Sequence, residues 1–238
     1  MARWLVFLLA CTAALQLLFA AVAFRHSGPT PQRAVLGMGI GLFLFWIIFG
    51  GLLMRMLRRP ACRVLQRIPL PWNVTFVLFA TALACVEELV TVSMTHTAPL
   101  YGVTMAQAHI TASSNYWDVI LTNSVVLLVP MFCVWAAILA RYRVSPTAVF
   151  LLWGCTGTLM EMIAGGPRHI LEIGMWVFVY GLMIYLPAYS IPDGRTVRPA
   201  SWWLYPLFVT IPLAGIIPGG ILAAIFRHLL HPHIFPPA

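Results

Sequence analysis

The chain has 238 residues, of which 61% are hydrophobic and 8% charged, with a net charge of +8 and a mean hydropathy of +0.92. That composition excludes an ordinary soluble domain. The positive charge is carried by arginine alone and gathers at the ends of apolar runs, so the partner it implies is the lipid bilayer and not a nucleic acid.

Apolar runs of roughly 20 residues can each cross a hydrocarbon core of about 30 Å. Seven are read, at approximately 4–23, 35–54, 73–95, 118–140, 146–165, 170–189 and 204–226. They predict an all-α, polytopic membrane bundle in a single domain, residues 1–238, without a soluble appendage. The first run, MARWLVFLLACTAALQLLFAAVA, has the early Arg and terminal Ala-Val-Ala of a signal peptide. Its apolar stretch is longer than a signal core, so residues 1–23 are expected to remain as the first helix.

Span two is followed by Arg55, Arg58, Arg59, Arg63 and Arg67. Such clustering marks a cytoplasmic loop, and Arg141, Arg143, Arg195 and Arg198 agree with it. Arg25, Arg33 and Arg168 oppose and are outnumbered. The expected topology in a plasma (inner) membrane has the amino terminus cytoplasmic and the carboxyl terminus external.

Span three, FVLFATALACVEELVTVSMTH, places Glu87 and Glu88 inside an apolar helix that ends at His96. An acid at membrane depth is expensive and marks a functional-site candidate. Adjacent residues on a helix point about 100° apart, so one of the pair is expected to face the bundle interior and the other elsewhere. The polar loop that follows contains His109 and leads into span four through Asn115, Tyr116, Trp117, Asp118 and Asn123. A polar, uncharged loop of that length is a candidate lid. Asn115, Tyr116, Trp117 and Asn123 are expected to contact substrate, with Asp118 assisting the chemistry.

Span five, FLLWGCTGTLMEMIAGGPRH, contains Glu161 and ends at His169, and Glu172 opens span six. Sliding the chain by 73 residues lays Glu88 on Glu161 and His96 on His169. Residues 70–140 and 143–192 therefore read as two parallel helical-hairpin repeats, an arrangement that builds membrane sites at the repeat interface. Both glutamates lie about 15 residues, hence near 23 Å, from the cytoplasmic starts of their helices. Two carboxyls at one depth on neighbouring helices can share a site, with Glu88 favoured over Glu87.

These acids support two classes of function. One is a membrane enzyme acting on a lipophilic, isoprenoid- or lipid-like substrate, with Glu88 and Glu161 as acid and base and Glu87, Asp118 and Glu172 assisting. The other is a small transporter or channel that carries protons or cations on the same acids. A third, weaker reading is a metal-binding membrane protein or a subunit of a membrane complex. His96, His109 and His169 could hold a divalent metal, but no HExxH or Glu-x-x-His spacing is present and the sequence requires no cofactor. Oligomeric state is open. The absence of lysine excludes Schiff-base chemistry, and the five cysteines lack any CxxC spacing.

No family is assigned. Val92 stands where the EExxxR motif of CAAX-type intramembrane proteases has arginine. Cys85-Val86-Glu87-Glu88 lacks the proline of the PxE(E/D) motif of membrane lycopene-cyclase domains.

Overall fold

The computed structural model describes residues 2–28, 30–192 and 194–234. Among these residues seven helices are long and apolar enough to cross a membrane. They are α1 (Trp4–His26), α2 (Pro31–Leu65), α3 (Trp72–Tyr101), α4 (Tyr116–Arg141), α5 (Pro146–Gly165), α6 (Pro167–Tyr189) and α7 (Trp202–Leu230). The bundle is all-α apart from two two-residue strands, Tyr142–Arg143 and Arg198–Pro199, which pair in parallel between connections. α2 runs past its expected end near 54, because its last turns carry arginines that an apolar-run reading cuts off.

Local chemistry sets where the helices begin. Thr30 accepts the Arg33 N–H at 3.3 Å ahead of Pro31, and Ser145 accepts the Ala148 N–H at 3.2 Å ahead of Pro146. In both, a capping hydroxyl satisfies an orphan donor while proline opens the first turn. Gly166, with φ +99°, lets α5 stop abruptly and Pro167 start α6.

α6 lies at the centre and packs against α1, α2, α3 and α5, while α4 packs against α3 and α7. α1 joins through Gln16, whose amide donates to Leu171 O (2.5 Å) and accepts from Met175 N (3.0 Å). The closest pair is α5 with α6. A Cβ on Gly154 would stand 2.6 Å from Val177 O, and one on Gly157 would collide with the Tyr180 ring. Small residues permit this approach in an apolar medium, where packing and not hydrophobic exclusion drives helix association.

The half of the bundle towards the arginine-rich connections is filled by Trp46, Phe76, Phe132, Trp135, Trp153 and Ile184, all fully buried. Trp46 ties α2 to α6 by donating to Val179 O at 2.9 Å. Arg58 lies over the Tyr189 ring at 4.6 Å and Arg195 over the Trp72 ring at 4.5 Å. The segments 70–140 and 143–192 correspond to the α3–α4 and α5–α6 pairs.

Candidate functional site

Towards the other end the packing opens into a cavity of about 670 Å³. Val35, Gly39 and Leu42 of α2 and Ser124, Leu127 and Leu128 of α4 form two of its walls. Both sets repeat at three- and four-residue intervals, so each is one helix face. Residues 109–112 of the loop close one side, held by the Ile110 N–H donating to Thr95 Oγ1 at 3.3 Å. Ala98 and Ala108 pack with Ala34 and Met38, which seats this loop on α2.

Four carboxyls line the cavity: Glu87 and Glu88 from α3, Glu161 from α5 and Glu172 from α6. Glu87 is 5% exposed and Glu88 7%. Both members of the doublet therefore face the same space, against the expectation that one turns away. The cavity wraps α3 from its α2 side to its α4 side, so side chains about 100° apart both reach it.

Each carboxyl is oriented by a nearby group. Glu87 Oε1 accepts from Thr91 Oγ1 at 2.9 Å, one helical turn on. Glu161 Oε1 accepts from Tyr180 Oη at 2.5 Å, across the close α5–α6 contact. Glu172 Oε2 accepts from Trp176 Nε1 at 2.9 Å and pairs with His169 Nδ1 at 2.7 Å. Glu88 faces Ser124 and Thr111. The Thr111 hydroxyl is buried and completes no hydrogen bond of good geometry among the described residues. Glu161 lines the same cavity as Glu87 and Glu88.

The structure thus brings Glu87, Glu88, Glu161, Glu172, Asn123, His109 and His169 to one cavity. Five other sequence candidates lie outside its lining. Asp118 accepts the Thr122 hydroxyl within its own turn. Asn115 caps α4 by accepting the Trp117 N–H at 3.0 Å, and Trp117 is 57% exposed. Tyr116 donates to Cys85 O at 3.0 Å, and His96 Nε2 lies 2.9 Å from Ser114 O.

The histidines do not converge as a ligand set. Among the described residues, no three His, Cys, Asp or Glu side chains come together closely enough to hold a metal ion. One ring nitrogen of each is already engaged: His96 with Ser114 O, His109 with Met105 O at 3.2 Å, and His169 with Glu172. The single shared spacing of Glu and His along the two helices did not bring the loop-borne rings together.

Sequence reasoning missed Tyr180, Trp176, Thr91, Ser124 and Thr111. A signal for the first two was present, since Glu172, Trp176 and Tyr180 recur every four residues and so share one face of α6. Thr91 stands four residues after Glu87 by the same rule. Comparison with known protein families, with curated proteins and with solved structures finds no match to this chain.

Proposed function

We propose that this chain is a multi-pass integral membrane enzyme that performs acid/base chemistry on a lipophilic, isoprenoid- or lipid-like substrate. The observation that carries the reading is the convergence of carboxyls from α3, α5 and α6 on one apolar-walled cavity. Its volume, about 670 Å³, falls within the range of small-molecule sites, and such sites combine apolar walls with a few convergent polar groups. Met160, Met175 and Met183 contribute adaptable thioether surface suited to an irregular apolar body.

In this reading Glu88 and Glu161 are the reacting acid and base. One carboxyl gives a proton to the substrate while another accepts one, a division of labour that needs two such groups in reach of the same molecule. Tyr180 and Thr91 fix the rotamers of Glu161 and Glu87, and Glu172 holds His169 and Trp176 in place at the entrance to α6. The arginine distribution supports a plasma (inner) membrane orientation with the amino terminus cytoplasmic, which sets the cavity in the external half. Residues 109–112 then close it from the external side.

The test begins with the protein extracted in native lipid discs and the co-purifying molecule identified by mass spectrometry. Conversion of that molecule is then followed for wild type, Glu88→Gln and Glu161→Gln. The glutamine variants are expected to fold and retain the molecule without converting it. Wild-type conversion by both variants overturns the reading, and proton-coupled uptake into vesicles with no chemical change would establish transport in its place.

A further inference from the structure

The cavity's polar groups are of one sign. Four carboxyls line it, and among the described residues no arginine does; the chain has no lysine to supply. The basic groups on the lining are His109, engaged at one nitrogen with Met105 O, and His169, already paired with Glu172. Even with both rings charged, four ionised carboxyls outnumber them. Carboxyls taken out of water reach neutrality with protons or with a cation, and no cationic side chain of this cavity can serve all of them.

A second feature of the wall is aromatic. Trp176 and Tyr180 lie side by side on α6 with ring centroids 6.2 Å apart, and both line the cavity. Their polar atoms are turned onto carboxyls, Trp176 Nε1 onto Glu172 and Tyr180 Oη onto Glu161. This arrangement fixes the two rings beside the two acids. The His169 ring packs edge-to-face with Trp176 at 5.9 Å, and the parts of the indole and of the Tyr180 ring that line the cavity beside carboxyls offer a poorly hydrated cation ring quadrupole and carboxylate charge together. The rest of the lining is aliphatic and thioether surface, suited to the apolar part of the same molecule.

We propose that the cavity's ligand is a lipophilic cation, an amine or quaternary ammonium on an apolar body, with its charge held among Glu161, Glu172 and the rings of Trp176 and Tyr180. This rests on the proposed function and narrows its substrate class. An anionic lipid is disfavoured by the same geometry, since it would meet four carboxyls and no cationic partner beyond the two histidines.

Three single-chain probes separate the sign of charge from apolar size: decyltrimethylammonium, the net-neutral decyldimethylamine N-oxide and the anion decyl sulfate. Binding of each to the purified protein in maltoside micelles is counted by native mass spectrometry. The cation is expected to bind about tenfold or more tightly than the other two. Trp176→Phe should keep this preference, whereas Trp176→Leu and Glu161→Gln should each reduce it severalfold. Equal binding of all three by wild type overturns the cation proposal and leaves a lipophilic cavity, so the proposed function survives. Tightest binding of decyl sulfate also overturns it. Failure of all three to bind also overturns the cation proposal, and the proposed function is then decided by the conversion assay alone. The wild-type comparison decides the matter even if a variant does not fold.

Discussion

The two halves of α3 are built of similar apolar sequence and sit in opposite surroundings. Phe76, Ala80, Leu83 and Ala84 press into a core completed by Trp135, Trp153 and Phe132. One to two turns later Glu87, Glu88 and Thr91 face open space. The first half needs shape complementarity, and any lost methylene leaves a gap. The second half lines a cavity of about 670 Å³ with carboxyls and a hydroxyl. One helix thus carries a packing end and a cavity-lining end, and substitutions in the two should produce separable defects.

The largest effect expected is on chemistry without stability. Glu88→Gln or Glu161→Gln should lower turnover of the co-purifying substrate by about a hundredfold to ten-thousandfold, the range for loss of a general acid or base. Their unfolding midpoints should stay close to wild type, and a large drop would merge the two ends of α3 into one stabilising unit. Trp153→Ala should do the reverse. Removing a fully buried indole costs about 3–5 kcal/mol, to be read from thermal unfolding in lipid discs, while molecules that remain folded should turn over near the wild-type rate.

Gly157→Ala tests the boundary between the halves. The new methyl meets the Tyr180 ring, and overpacking of this kind costs about 1–3 kcal/mol. Because that ring also donates to Glu161, turnover should fall along with stability, and an unchanged rate would show that the tyrosine hydroxyl is dispensable. Tyr180→Phe is smaller and cleaner. It removes one hydrogen bond to a partly buried carboxyl, about 0.5–1.5 kcal/mol, and should slow turnover by roughly tenfold with the fold intact. Asp118→Asn is the smallest, within about 0.5 kcal/mol of wild-type stability. Its carboxyl serves its own helical turn, so turnover should not change.

The bundle was legible because bilayer-length apolar runs leave little freedom: the seven spans follow from hydropathy and from arginines at their ends. The acids were legible for the same reason, since a glutamate in such a run stands out from every neighbour. The cavity was not. Its shape depends on which helices are close, and that is decided by glycines such as Gly154 and Gly157, which read in sequence as ordinary small residues. The doublet also misled. A helical wheel places Glu87 and Glu88 apart, but cannot show that the open space extends around both sides of α3. Asn115, Tyr116 and Trp117 looked like substrate contacts by sequence position. The chain instead uses the first to cap a helix and the second to tie α4 to the Cys85 carbonyl, while the third is left exposed.

One stretch of α4 controls more than its side chains suggest. Val119–Asn123 is wound as a π-helix, and Asn123 leaves helical geometry altogether at φ −131°, ψ −100°. A π turn accommodates one residue beyond the α-helical count, so the helix before it and the helix after it are out of phase. Ser124, Leu127 and Leu128 reach the cavity wall from the far side of that phase slip. The orientation of an entire wall thus depends on the number of residues in one turn. A single insertion or deletion there would re-aim the wall more thoroughly than any substitution along it.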